Sequence, residues 1–138
     1  MVTITARYEG DLRCVTSHGP SGASFPTDAP ADNQGLGQSF SPTDLVATGL
    51  ATCVMTILGI LARRDGIDLR GMTASVEKHM VADPHRRIAR LPMTLTIPTR
   101  LDDEHKKRIE RAAHLCPVKQ SLRSDIDMPI TFVYTAEV

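Results

Sequence analysis

The strongest constraint on this chain is an uncharged, apolar stretch at residues 45–62, preceded by the motif Ser-Pro-Thr-Asp at 41–44. A serine caps the first amides of a helix, a proline suits its first position, and an aspartate favours the positive end of the helix dipole. We therefore predict a helix that begins at this motif, runs to about residue 64 and ends near Gly66. Because its side chains are apolar nearly all round, we expect it to lie inside the fold.

The other interpretation of an apolar stretch of this length is a membrane span, which needs about 20 predominantly apolar residues. The stretch falls a little short of that length and contains three threonines and two glycines. The arginine pair at 63–64 is typical of the residues that follow a membrane span on its cytoplasmic side. The rest of the chain, however, is typical of strands with one apolar face that a helix must cover. The first residues also lack the pattern of a signal peptide. We therefore favour a buried helix and a cytoplasmic protein.

Alternation of apolar and polar residues predicts strands on both sides of this helix. The predicted strands cover residues 2–8, 11–17, 23–28, 72–82, 87–98 and 129–137. Further helices are predicted at 102–115, where acidic residues precede basic ones as the dipole favours, and at 117–123, which opens with a proline. Together these elements predict one α+β domain over residues 1–138, with antiparallel strands wrapped around a long buried central helix.

Charge and cysteine content exclude several classes of protein. Lysine plus arginine number 16 and aspartate plus glutamate 16, so the net charge is zero. Proteins that bind nucleic acid through its phosphates normally have a basic excess, so no nucleic-acid partner is expected. No metal-ligand spacing or dinucleotide fingerprint occurs, and we predict neither metal nor cofactor. Three cysteines, an odd number, are typical of a reduced intracellular protein rather than a secreted disulfide scaffold.

Two of the cysteines have apolar surroundings in the sequence. Cys53 lies in the middle of the predicted long helix, where a small buried side chain is the simplest interpretation. A reactive Cys53 would need an arginine or lysine from a distant part of the chain, since no ionisable residue lies within one helical turn. Cys14 is expected to share a strand face with Leu12 and Tyr8, and there core packing is the default.

Cys116 has a different context. It precedes Pro117 at the start of a predicted short helix, and His114 and Lys119 are close in sequence. A helix N-terminus and nearby cations stabilise a thiolate, so these neighbours predict a lowered pKa for Cys116. The alternative is a capping cysteine that points inward.

Three segments taken together resemble the OsmC/Ohr family, which comprises osmotically inducible protein C, the organic hydroperoxide resistance proteins and related OsmC-like proteins. The segments are the long-helix start through Ala-Thr-Cys at 41–53, the segment AAHLCPVKQSL at 112–122, and Gly-Asp-Leu-Arg at 10–13. The order of elements matches across nearly the whole chain. The resemblance is to the OsmC-like branch in particular.

The resemblance implies an intertwined homodimer and a thiol peroxidase without a cofactor. Cys53 would attack an organic hydroperoxide and become a sulfenic acid, and Cys116 would resolve it as an intramolecular disulfide. A dithiol such as dihydrolipoamide would then reduce the disulfide. A resolving thiol close to a sulfenic acid protects it from overoxidation.

The sequence departs from the family pattern at the acidic residue that holds the activating arginine. In the hydroperoxide resistance proteins this acid stands ten positions before the first cysteine, where this chain has Thr43. Asp44 follows, in a placement found in the OsmC-like branch, but on a straight helix it lies about 13.5 Å along the axis from Cys53. Asp44 is therefore a catalytic candidate or only a helix cap. Arg13 is the candidate for the activating cation.

These expectations form one enzymatic and two other hypotheses. In the first, the protein is a cytoplasmic peroxidase for organic hydroperoxides, and Leu50, Ile57 and Ile60 of the long helix line an apolar pocket. In the second, a dimer binds a small apolar ligand and its cysteines are core residues. In the third, the thiols are a redox sensor. The pairing of Cys53 with Cys116 separates the first hypothesis from the second, because a binding protein needs neither.

Overall fold

Three strands, one long helix, four further strands, two shorter helices and a last strand follow one another along the described chain. The computed structural model describes residues 1–136, so residue 137 of the last predicted strand lies outside the described residues. The strands are β1 (Ile4–Gly10), β2 (Arg13–His18), β3 (Ser24–Asp28), β4 (Thr73–Val76), β5 (His79–Val81), β6 (Arg87–Arg90), β7 (Met93–Ile97) and β8 (Ile130–Tyr134). The helices are α1 (Pro42–Asp65), α2 (Asp103–Ala113) and α3 (Pro117–Ser121), with one turn of 3-10 helix at Ala31–Asn33. The predicted α+β class is confirmed.

The described residues divide into two compact units, one formed by Met1–Val46 and the other beginning at Ala47. The prediction of a single domain over residues 1–138 stays a prediction. In the first unit β1, β2 and β3 form an antiparallel sheet with β2 in the middle.

The turn between β1 and β2 lies two residues later in the chain than predicted. Gly10, Asp11 and Leu12 all have positive φ angles, of 88°, 54° and 63°. Consecutive residues in this region turn the chain, so β2 begins at Arg13 and not at residue 11. Leu12 is consequently a turn residue and does not share a strand face with Cys14.

The start of α1 follows the sequence prediction closely. The Asp44 amide donates to Ser41 Oγ at 3.1 Å, and the Ser41 amide donates to Asp44 Oδ2 at 2.8 Å. The side chain of each residue thus accepts a hydrogen bond from the backbone amide of the other. This is the reciprocal cap that fixes a helix N-terminus. Pro42 is the first helical residue, as its missing N–H allows.

The burial of α1 differs from the prediction. Its buried residues form one stripe, namely Ala47, Leu50, Ala51, Val54, Leu58 and Ala62. The opposite face, which includes Thr52, Thr56 and Ile60, is exposed, and Ile60 is 53% exposed. The expectation of burial all round is therefore wrong for the single chain, because other elements cover only one side of the helix. By length and composition alone α1 could cross a membrane, a test that core helices of soluble proteins also pass.

The second unit contains two small sheets. In the larger sheet β7 lies between β4, its antiparallel neighbour, and β8, its parallel neighbour. The smaller sheet is the antiparallel pair β5 and β6. The parallel pairing corrects the expectation of purely antiparallel strands. The chain passes through α2 and α3 between β7 and β8, and a connection of that length returns the next strand in the same direction.

Each of the two long strands predicted in this region is broken in two. The strand predicted over 72–82 forms β4 and β5, and the strand over 87–98 forms β6 and β7. The second break is at Pro92, which has no amide hydrogen to donate to a ladder. At the first break the Glu77 amide donates to the Pro92 carbonyl at 3.0 Å, so the two breaks face each other.

Candidate active site

The structure brings Cys53 and Cys116 together, although 62 residues separate them in the sequence. The two side chains are neighbours, since the Cys53 thiol raises the pKa of Cys116, and all three cysteines of the chain are in the free thiol form. Cys53 lies in the middle of α1 and is half-buried, whereas Cys116 is 0% exposed. A pair of adjacent thiols with unequal access is suited to forming a disulfide in which only one sulfur meets a substrate first.

Cys116 is held by the first turn of α3. It is the N-cap residue, with extended backbone angles, and Pro117 follows at the first helical position. Its Sγ accepts a hydrogen bond from the Lys119 amide at 3.2 Å. The cap therefore fixes the direction of the Cys116 side chain. The structure shows the alternative that was expected for it, a capping cysteine that points inward.

The pKa of Cys116 moves in the direction opposite to the sequence prediction. Burial raises the pKa of this thiol, the Lys119 amide opposes that effect, and the neighbouring Cys53 thiol raises the pKa further. The prediction of a lowered pKa is therefore wrong. Burial removes water from the thiolate, and that loss outweighs the hydrogen bonds from the Lys119 and Val118 amides at the start of a helix of five residues.

The cations that were expected near Cys116 have other partners. The Lys119 ammonium donates to His114 Nδ1 at 2.7 Å and to the Met128 carbonyl at 3.4 Å. Burial and the Lys119 charge lower the pKa of His114, so its imidazole is neutral near pH 7 and accepts this hydrogen bond. Lys119 therefore acts on the Cys116 sulfur through its backbone amide.

Arg13 lies at the start of β2 in the first unit. Its Nη2 is 3.7 Å from Asp28 Oδ2 and donates a short hydrogen bond to Gln38 Oε1. The Gln38 amide in turn donates to Asp28 Oδ2 at 3.0 Å. The Asp28 side chain is 2% exposed and that of Arg13 38%. Sequence reasoning missed Asp28 and Gln38, because neither stands in a motif and only the folded loop shows that the carboxylate is buried.

Asp44 and Ser41 cap the N-terminus of α1 together. Asp44 is thus a helix cap, which was one of the two roles expected for it. The Thr43 hydroxyl is 3.2 Å from that of Ser41 and belongs to the same polar group. A catalytic role for Asp44 stays a proposal.

Cys14 does not pack in a closed core. It lies opposite Tyr8 in the first sheet and is half-buried, while Tyr8 is 64% exposed. One face of this sheet lines a mainly apolar cavity of about 510 Å³, to which Cys14, Ile4 and Phe25 contribute. Pro42 and Leu45 of α1 line the same cavity, but the cavity is open and Cys14 stays half-buried, so the expectation of core packing is wrong for the single chain.

The predicted apolar lining around Cys53 is only partly available. Leu50 is 1% exposed and belongs to the core, whereas Ile57 is half-buried and Ile60 exposed. Leu50 therefore cannot line an open pocket. Within residues 1–136 no group of three or more histidine, cysteine, aspartate or glutamate side chains is placed to hold a metal ion.

A family comparison decides what kind of protein carries this thiol pair. The family model described as OsmC-like protein matches residues 35–131, which include both cysteines of the pair. The chain belongs to the OsmC-like protein family. No match was found among curated proteins.

Solved structures with the OsmC-like fold agree with this assignment. One crystal structure is described as that of a candidate osmotic stress induced and detoxification response protein from Psychrobacter arcticus 273-4. Its sequence is 45% identical to this chain, the TM-score is 0.91, and the match covers 96% of each chain. An organic hydroperoxide resistance protein OsmC from Legionella pneumophila is 18% identical with a TM-score of 0.74, again over 96% of each chain. The organic hydroperoxide resistance protein OhrB of Bacillus subtilis is 21% identical, with a TM-score of 0.68 over 96% of this chain and 97% of that one.

Proposed function

We propose that the protein is a cysteine-based thiol peroxidase that reduces organic hydroperoxides. The observation that carries the proposal is the pair of neighbouring free thiols, Cys53 and Cys116, in a chain of the OsmC-like family. Solved structures of the same fold include proteins named for organic hydroperoxide resistance. A protein that only bound a ligand would not need two thiols in contact.

The reaction begins at Cys53. Its thiolate attacks the terminal peroxide oxygen, an S–O bond forms, the O–O bond breaks, and the alcohol leaves with a proton, so that Cys53 becomes a sulfenic acid. The Cys116 sulfur then attacks the Cys53 sulfur, an S–S bond forms, and the sulfenic oxygen leaves as water. A dithiol reduces this disulfide through a mixed disulfide and is itself oxidised to a disulfide.

The division of roles follows from access and acidity. Cys53 is half-buried, so a peroxide can reach its sulfur, whereas Cys116 is 0% exposed. The raised pKa of Cys116 keeps it largely protonated at neutral pH, which suits a thiol that must wait for the sulfenic acid. Contact between the two sulfurs lets Cys116 react with the Cys53 sulfenic acid before a second peroxide does.

We assign the activating charge to Arg13. Its guanidinium is partly exposed and is held in place by Asp28 and Gln38, so it can present a fixed positive charge. We also assign a catalytic role to Asp44, which lies in the capped first turn of the helix that carries Cys53. We further propose that the protein acts as a cytoplasmic homodimer and that a lipoyl-type or other dithiol reduces it.

Turnover measurements on cysteine variants test this function. Wild-type protein should consume cumene hydroperoxide with a dithiol as reductant, and Cys53→Ser should abolish turnover. Cys116→Ser should accumulate a sulfenic acid that a dimedone probe captures on Cys53. Undiminished turnover in Cys53→Ser would remove the peroxidatic role, and undiminished turnover in Cys116→Ser would remove the resolving role.

A second candidate function rests on the cavity of about 510 Å³ in the first unit. Its size and mainly apolar lining are within the range of small-molecule sites. If the protein bound a small apolar ligand without catalysis, wild-type protein would show no peroxide turnover, and replacing both Cys53 and Cys116 by serine would leave ligand affinity unchanged.

A further inference from the structure

The short helix α3 has little of its own to hold it in place. It comprises Pro117–Ser121, and none of its residues is buried. A helix of this length is not stable alone. Its N-cap residue Cys116, however, is 0% exposed, and the Cys116 sulfur accepts a hydrogen bond from the Lys119 amide at 3.2 Å. The position of this sulfur therefore depends on what holds the first turn of α3.

Two side chains of α3 bind back to the end of α2. The Lys119 ammonium donates to His114 Nδ1 at 2.7 Å, and Gln120 Nε2 donates to the His114 carbonyl at 3.1 Å. His114 is the C-cap residue of α2. The Lys119 ammonium also donates, at 3.4 Å, to the carbonyl of Met128, which lies just before β8. Lys119 thus joins α3 to the chain segments that precede and follow it.

The hydrogen bonds of Lys119 constrain the direction of its side chain. Both acceptors are uncharged, because the lowered pKa of His114 leaves its imidazole neutral near pH 7. A neutral imidazole accepts at one nitrogen only, so the Lys119 ammonium must point at Nδ1. Lys119 is half-buried and lines a cavity of about 400 Å³. Because this cavity leaves space on one side of the lysine, the two acceptors rather than close packing fix where its ammonium lies.

The first turn of α3 matters for the step in which Cys116 resolves the Cys53 sulfenic acid. In that step the Cys116 sulfur attacks the Cys53 sulfur, an S–S bond forms, the S–O bond breaks, and the sulfenic hydroxyl leaves as water with the Cys116 proton. The attack needs the two sulfurs in a fixed relative orientation. If the attack is slow, a second peroxide oxidises the sulfenic acid to a sulfinic acid. The ratio of sulfinic acid to disulfide therefore measures how well Cys116 is positioned.

We propose that Lys119 is a positioning residue for Cys116. Its side chain, held by His114 and the Met128 carbonyl, keeps the first turn of α3 in place, and its amide keeps the Cys116 sulfur directed for attack. Lys119 acts through Cys116 and not on the peroxide. This inference rests on the proposed function, because the resolving role of Cys116 belongs to it.

The test treats reduced protein with increasing amounts of cumene hydroperoxide, without a reductant, and measures the Cys53–Cys116 disulfide and the Cys53 sulfinic acid by mass spectrometry. Lys119→Met keeps an unbranched side chain but removes the donor. It should raise the ratio of sulfinic acid to disulfide by about tenfold, the effect expected for losing a hydrogen bond from a charged group. The rate at which the first peroxide is consumed should stay at the wild-type value, because that step occurs at Cys53.

Substitutions of His114 separate the hydrogen bond from packing. His114→Leu removes the acceptor and should raise the ratio as Lys119→Met does. His114→Asn keeps an acceptor close to the position of Nδ1, so it should restore the ratio towards the wild-type value. These two variants decide the question if Lys119→Met does not fold. Lys107→Met is the matched control, since Lys107 is exposed on α2, and it should leave the ratio unchanged.

The outcomes separate this inference from the proposed function. A wild-type ratio in both Lys119→Met and His114→Leu overturns the positioning role and leaves the peroxidase intact. Equal impairment of His114→Asn and His114→Leu overturns it as well, since packing and not the acceptor is then what matters.

A wild-type protein that does not react with peroxide overturns the proposed function, and diamide then tests the positioning role. Diamide accepts the two electrons and two protons of a dithiol, so it joins Cys53 to Cys116 without peroxide. Slower joining in Lys119→Met and His114→Leu than in the wild type supports the positioning role, and equal rates overturn it.

Discussion

Replacing Gly35 by alanine tests how closely the loop after β3 packs against Ala29. The new Cβ would lie 2.6 Å from the Ala29 Cβ and nearer still to the Ala29 carbonyl, against 3.4–4 Å for ordinary contacts, so the two segments must separate by more than about 0.8 Å. The overlap is mainly with backbone atoms, which cannot rotate away. Overpacking of this kind destabilises a protein by about 1–3 kcal/mol.

Thermal unfolding of the full chain, followed by circular dichroism, gives the stability change, at roughly 4 °C per kcal/mol for a chain of this size. The matched control is Gly59→Ala, because a Cβ at Gly59 meets nothing within 4 Å and the residue lies inside α1. That control should be neutral or more stable by up to about 1 kcal/mol. If Gly35→Ala melts at the same temperature as the wild type, the argument from loop packing is refuted.

Three further predictions follow from the described contacts. Cys14→Ser should leave peroxide turnover unchanged, because Cys14 lies on the open sheet face of the first unit and outside the thiol pair; a loss of turnover in steady-state assays would contradict this. Because the pKa of Cys116 is raised, the fraction of Cys116 that is thiolate increases as pH rises from 6 to about 9, so disulfide formation from the Cys53 sulfenic acid should become faster. A rate that stays constant with pH in stopped-flow measurements would contradict this prediction. Asp65→Asn should destabilise the chain by about 1–3 kcal/mol in urea unfolding, because it weakens the 2.8 Å pair with Arg108; equal stability would show that solvent already screens the pair.

Local features of the fold could be predicted from the sequence. The start of α1 depends on four consecutive residues, and Ser41 caps the helix as predicted, while the return bond from the Ser41 amide to Asp44 was not foreseen. The break at Pro92 was also visible in the sequence as a missing amide, although the strand was predicted to continue through it. By contrast, the parallel pairing of β7 and β8 depends on where α2 and α3 return the chain, which no local pattern shows.

The site was predictable only in part for the same reason. The contact between Cys53 and Cys116 was expected from family resemblance, since nothing near either residue indicates the other. The pKa of Cys116 was predicted in the wrong direction because neighbours in sequence show the helix start but not the burial. Asp28 was missed because its importance depends on a loop that closes over it.

The pairing of Cys53 with Cys116 is tested most directly by disulfide mapping after reaction with peroxide. Fully reduced wild-type protein is treated with one equivalent of cumene hydroperoxide, its remaining thiols are blocked, and its peptides are analysed by mass spectrometry without reduction. The account predicts the loss of two thiols per chain, a peptide that links Cys53 to Cys116, and a free Cys14. A stable protein in which all three thiols survive, or in which Cys14 is oxidised while Cys53 and Cys116 remain free, would contradict it.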